Sequence, residues 1–213
     1  MKLDNLKNRI IRKLIVTKFR LKNKNRDFTL IAQNCIGGVI YANLNLEFKS
    51  PTINMFIEDE NFLKLCENFA YYMELKPEPL TDHYVDPIDE SIVYPKIKIG
   101  DIEVCCLHYE NCEAAIKAWN RRRKRVNLDN IYVIANTWNL HNRIDLIERL
   151  TKLKYKTIIF SEKKYDYPQC FQLPGDFWKL DNRHILRPNI TDNIPGSNYK
   201  YFEKFFDFVK WLN

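Results

Sequence analysis

Apolar positions along the chain change period several times, and each change predicts an element. Leu3, Leu6, Ile10, Leu14 and Leu21 recur at mostly three- and four-residue steps with Lys and Arg between them, the pattern of an amphipathic helix. "RDFTLIAQ" (26–33) is a short β-prone run ending in the turn "NCIGG" (34–38), and "VIYANL" then opens a helix or an extended segment. "SPTINMFI" (50–57) reads as a Pro-punctuated loop or short strand. Residues 59–75 place Phe62, Leu65, Phe69, Tyr72 and Met73 on one helical face, and "KPEPLTDHYVDP" (76–87), with its three prolines, reads as a loop.

In the second half, "IVYPKIKIGDIEVCCLHY" (92–109) contains two β-like runs joined at Gly100-Asp101, a hairpin signature. Asn111 is placed to cap the helix "CEAAIKAWNRRRKR", "DNIYVIAN" (129–136) and "YKTIIFS" (155–161) read as strands, and "RIDLIERLTKL" (143–153) as a helix. The aromatic-rich tail "YKYFEKFFDFVKWL" (199–212) predicts a closing helix. The alternation favours an α/β fold: a mixed, mostly parallel sheet with helices on both faces, Rossmann-like in three layers, preceded by a basic amphipathic helix. That division sets a basic arm at 1–26 against a single α/β domain at 27–213.

Charge sharpens the division. The 213 residues carry a formal +7, but residues 1–26 hold ten Lys/Arg against Asp4 alone, a net +9. The rest of the chain therefore carries −2, the difference between +7 and +9, so the basicity belongs to the arm and nucleic acid is not an expected partner. Clustered cations beside an apolar stripe suit an anionic inner leaflet; the alternative is that the stripe packs on the domain. Apolar runs of the arm are broken by Arg12, Lys13 and Lys18, too short to span a bilayer. The six cysteines follow no secretory signal in this chain, which favours reduced thiols in a cytoplasmic protein, peripheral on the inner face of the plasma membrane where the arm docks.

In open α/β sheets, ligands sit at the carboxyl ends of strands. This selects the Asn34-Cys35-Gly37-Gly38 turn, His108-Tyr109 after "EVCCL", Asn136-Thr137-Trp138 after "IYVIA", and Ser161-Glu162 after "TIIF". A thiol at a helix start feels unpaired N–H groups that favour thiolate, and glycine lets those amides approach an oxyanion or phosphate. Asn34, Gly37 and Gly38 are therefore candidate ligand-binding residues and Cys35 a candidate nucleophile; the alternative is that Cys35 is a small buried hydrophobe and the glycines serve packing. No Walker or dinucleotide fingerprint is present.

Of the histidines, His108 is the first candidate for a general base and His141 the second. Asp101, Glu110 and Asp176 are conceivable orienting acids. "CCLHYENC" is not expected to bind zinc, because Cys106 and His108 share a strand face from which Cys105 points away. In "RRRKR" (121–125), one or two of Arg121, Arg122 and Arg125 are candidates for a diphosphate, Arg122 first, and Trp178 in "LPGDFW" one for stacking on a sugar or base; a solvated helix end and a buried Trp are the alternatives.

Taken in order, "NCIGG", "SPTINMFI", "YPKIKIGDIEVCCLHYENCEAAIKAWNRRRKR" and "DNIYVI" resemble the bacterial exopolysaccharide or capsular polysaccharide biosynthesis family, a domain of unknown function found in surface-polysaccharide gene clusters. The resemblance runs from about residue 26 to the end of the chain. It implies an α/β fold and work on a sugar or lipid-linked oligosaccharide, and it carries over no catalytic residue. The Asn-Cys turn is also similar to that of capsule acyltransferases, which continue with Gln where this chain has Ile36.

The resulting expectation is a transferase in polysaccharide assembly moving an acyl group to a sugar hydroxyl. A coenzyme A thioester would be the donor, the turn at 34–38 the anion site and His108 the base. Glycosyl transfer from a nucleotide sugar and a non-catalytic, membrane-docked assembly module are the alternatives.

Overall fold

The protein is described by a computed structural model covering residues 2–213 except 87–89, 138–142, 175–177, 181–185, 189, 192 and 195, with backbone alone for 2–5, 178–180 and 186–188. Strands β1 (Thr29–Ala32), β5 (Ile131–Asn136), β6 (Lys156–Ser161) and β7 (Cys170–Gln172) form a parallel sheet in the order β1-β5-β6-β7. Every residue of β1 and β5 is buried, as a sheet covered on both faces requires, which is why these strands read as apolar runs with polar residues only at the ends, Thr29 and Asn136, apart from the Tyr132 hydroxyl. Successive side chains point to opposite faces. Ile31, Val133, Ala135 and Ile159 enter one core with α3 (Asp59–Glu67), α5 (Cys112–Arg123) and α6 (Ile144–Thr151). Leu30, Ala32, Ile134 and Phe160 enter the other with α2 (Ile36–Leu44), α7 (Tyr201–Phe205) and α8 (Phe208–Leu212).

The hairpin turns at Gly100, whose φ of +62° suits glycine, but it does not join this sheet. Its strands β3 (Val93–Ile99) and β4 (Ile102–Cys105) pair with β2 (Pro77–Val85) in a separate antiparallel sheet. The main sheet is therefore parallel among the described residues instead of mixed. β2 occupies the segment expected as a loop. It is an edge strand with a register shift between Pro79 and His83, and an edge is where prolines without N–H groups are tolerated. A two-stranded antiparallel pair, β8 (Trp178–Leu180) with β9 (Leu186–Pro188), lies near the C-terminus.

Two expected helices are each broken. Asn68, at φ −126° and ψ 38°, separates α3 from α4 (Phe69–Glu74), and extended backbone at Phe206 separates α7 from α8. Asn111 caps α5 as expected, its side chain accepting from the Ala114 N–H at 2.9 Å.

The two sheets are stitched by residues 52–57. Thr52 Oγ1 accepts from the Ala32 N–H at 3.3 Å, and the Ile57 N–H donates to Gln33 O at 3.1 Å. Phe56 and Cys105 exchange backbone bonds of 2.8 and 2.9 Å, so the end of β4 is fixed beside the end of β1.

The N-terminal helix α1 (Lys2–Lys22) packs on the domain through the buried Ile15 and through Phe19, which meets Phe208 edge-on at 4.9 Å. Arg12 donates to both carboxylate oxygens of the buried Glu203 at 2.5 and 2.8 Å and to Asn43 Oδ1 at 2.9 Å, while Asn43 Nδ2 donates to Glu203 at 2.6 Å. Arg20 Nε donates to the Asn43 carbonyl at the end of α2 at 2.8 Å. No helix is long and apolar enough to cross a membrane among the described residues.

Candidate functional site

β1 ends in Gln33, and the chain turns through Asn34 into Cys35, the N-cap of α2. Asn34 Oδ1 accepts from the Ile36 N–H at 3.0 Å, which shapes the turn and leaves the Asn34 amide NH₂ as a donor. His108 arrives from the loop after β4, a turn closed by the Tyr109 N–H donating to Cys106 O at 3.2 Å. Next to it, the Tyr109 hydroxyl donates to Ile53 O at 3.0 Å, and Arg122 Nη1 donates to that hydroxyl at 2.5 Å and to the same carbonyl at 3.0 Å. The outcome is that Cys35 Sγ and His108 Nε2, 73 positions apart in sequence, lie 3.1 Å from each other.

A helix start by itself would favour thiolate, but burial outweighs it here. Desolvation pushes the Cys35 thiol up to about 11, so at neutral pH it rests protonated and hydrogen-bonded to the imidazole. The contact is short enough for a proton to pass between sulfur and Nε2 without rearrangement of either side chain.

The adjacent strand ends form a polar rim. Gln33 Oε1 accepts from both the N–H and the Nδ2 of Asn136, at 3.1 and 2.9 Å, and Gln33 Nε2 donates to Asp59 Oδ1 at 2.5 Å. Thr137 Oγ1 donates to the Glu162 carboxylate, joining β5 to β6. Asn136 Oδ1 and Ser161 Oγ are buried without a hydrogen-bond partner among the described residues, and such atoms in a folded interior call for one. Trp138, expected on the same rim, lies outside the described residues, as do His141, Asp176 and His184, and the Trp178 side chain lies outside them as well.

Three expectations change role. Gly37 and Gly38 are buried, and a Cβ on Gly37 would stand 3.0 Å from Ala32 Cβ, and one on Gly38 3.2 Å from Ile53 Cγ2. The missing side chains let α2 pack tightly against β1 and the 50–54 turn. Arg122 is 5% exposed and donates through Nη1 to Tyr109 and Ile53, with its guanidinium 5.4 Å from the Phe48 ring, so it braces the His108 loop from inside the fold. Its neighbours serve structure too, Arg123 on the carbonyls of Met73 and Leu75 and Arg125 on Glu47. Gln33 and Asp59 were not singled out from the sequence; a polar residue closing an apolar strand was the available signal for Gln33, whereas the Asp59 contact follows only from the fold.

Comparison with known proteins places the chain among relatives without an assigned reaction. An "Uncharacterized protein" of Haemophilus influenzae is 27% identical over 194 residues, covering 90% of this chain and 87% of that one. A family described as "Domain of unknown function (DUF1919)" matches residues 6–213, taking in α1, the Cys35–His108 pair and the strand-end rim, and the chain belongs to this family.

Proposed function

We propose that the protein is a transferase that moves an acyl group onto a sugar hydroxyl through a covalent intermediate on Cys35, in bacterial surface-polysaccharide assembly. The observation that carries the reaction type is the 3.1 Å contact between Cys35 Sγ and His108 Nε2. An imidazole acting directly on a sugar hydroxyl would present a free Nε2; here that atom is engaged by sulfur, which favours a relay through the thiol. The polysaccharide setting rests on the sequence resemblance and on its similarity to capsule acyltransferases.

In this reading, Cys35 Sγ attacks the thioester carbonyl of an acyl-coenzyme A while His108 Nε2 takes the thiol proton. The tetrahedral intermediate collapses, coenzyme A leaves with the proton from His108, and the acyl group remains on sulfur. The acceptor hydroxyl then attacks that thioester, gives its proton to His108, and the Cys35 thiol is restored as the ester departs. The Asn34 amide NH₂, left free to donate by the Asn34 Oδ1 turn contact, would face the developing oxyanion.

The test is mass spectrometry of the protein after incubation with acetyl-coenzyme A, reading the peptide that contains Cys35. One acetyl group is expected on Cys35 in the native chain and none in Cys35→Ser. His108→Ala should slow acylation about a hundred- to ten-thousandfold. Unmodified Cys35 across a panel of acyl-coenzyme A donors, together with full turnover by Cys35→Ser, would remove the covalent mechanism.

A further inference from the structure

Helix α1 has two apolar faces, and only one is used by the fold. Ile15 and Phe19 face the domain, with Arg12 and Arg20 tied to Glu203 and to the end of α2. On the opposite side, Leu6, Ile10, Leu14 and Leu21 stand 55%, 54%, 65% and 82% exposed. They form a stripe about 22 Å long at the helical rise, interrupted on the same face by Thr17. Lys7, Lys18 and Lys22 border it on one side and Arg9 and Lys13 on the other, all exposed, and after Asp4 the helix contains no carboxylate.

We infer that this outward face of α1 is a docking surface for an anionic lipid bilayer, with the stripe in the acyl boundary and the flanking cations at headgroup phosphates. An apolar stripe edged on both sides by Lys and Arg fits an interface that is apolar below and negatively charged above. A second copy of the chain on the same face would bring basic border against basic border, which charge repulsion opposes. A nucleic acid backbone would answer the cations and leave the leucines in water. The contacts through Arg12, Ile15 and Phe19 set the geometry, because they turn the stripe away from the domain and so present it to a flat surface.

The test is flotation of the full chain with vesicles of phosphatidylcholine containing phosphatidylglycerol, against vesicles of phosphatidylcholine alone. Binding is expected to the anionic vesicles only and should weaken as salt is raised. Ile10→Asp combined with Leu14→Asp should lower partitioning at least about a hundredfold, and Lys7→Gln with Lys18→Gln about thirtyfold. The melting temperature should stay within a few degrees in both variants, because these side chains touch solvent. Three outcomes overturn the proposal: native protein that stays unbound with anionic vesicles, an aspartate variant that still floats, or a native dimer by light scattering that the aspartate variant dissociates.

Discussion

At the scale of single residues, the proposed chemistry turns on the contact between the Cys35 thiol and the His108 imidazole, and the state of the thiol is itself measurable. With Cys35 pushed to about 11 by burial, its alkylation by iodoacetamide should rise roughly tenfold per pH unit from 7 to 10, read on the Cys35 peptide. A plateau in that rate near neutrality would mean a preformed thiolate and would exclude proton transfer to His108 as a step of attack. Gly37 makes a second residue-scale case. Gly37→Val forces branched atoms where a Cβ already meets Ala32 at 3.0 Å, so the variant should lose about 1–3 kcal/mol in urea unfolding. That Cys35 and His108 would come to one rim was legible in the sequence, since each follows an apolar β-prone run and falls where α/β sheets bind ligands. The reason for the glycines was not legible, because it depends on Ala32 and Ile53 approaching α2 from two different segments.

Between elements, the site exists because unrelated segments are tied at a few points. Tyr109 and Arg122 clamp the His108 loop to Ile53, whose side chain also lies over Gly37 and Gly38, so one turn serves both halves of the pair. Tyr109→Phe removes the hydroxyl that bridges Arg122 to Ile53 and should cost about 1–3 kcal/mol, because the buried guanidinium loses an acceptor. At the other end of the molecule, α1 is held by Arg12 on Glu203, whose side chain is fully buried. Arg12→Ala leaves that buried carboxylate without its counter-charge, with only Asn43 and the Lys200 N–H donating to it among the described residues, and should cost about 3–5 kcal/mol in the same urea titration. The basic character of the arm was plain from composition, yet which of its cations would turn inward was not. Arg12 and Arg20 turn inward because the returning C-terminal helices and the end of α2 set acceptors against their guanidinium forks, a pairing that only the fold reveals.

For the whole molecule, the strand–helix alternation announced an α/β protein, because parallel strands covered on both faces are apolar along most of their length. β1 and β5 carry polar side chains only at Thr29 and Asn136, one at the start of β1 and one at the end of β5, apart from the Tyr132 hydroxyl. The separation of the hairpin into its own sheet was hidden, since it depends on β2, a segment whose prolines argue against any strand except an edge. The same dense interior sets the response of the molecule to base. Cys105 and Cys106 sit in it almost without exposure, and burial pushes each thiol from an ordinary value near 9.0 up to about 12. Once the chain unfolds, both ionise near pH 9 while the native state still holds their protons, so between pH 9 and 12 the unfolded chain binds fewer protons. Stability must then fall as pH rises, by up to about 3 kcal/mol per pH unit for the pair, and this contribution is flat below pH 9. Tyr41, whose phenol is also raised by burial, steepens the decline above its ordinary value near 10.0. Urea midpoints measured from pH 7 to 11 should therefore hold level and then drop, and Cys105→Ala with Cys106→Ala should start less stable but fall less steeply. A midpoint in the native chain that stayed constant to pH 11 would mean that these thiols ionise in the folded state, and that water reaches the end of β4 beside the reactive pair.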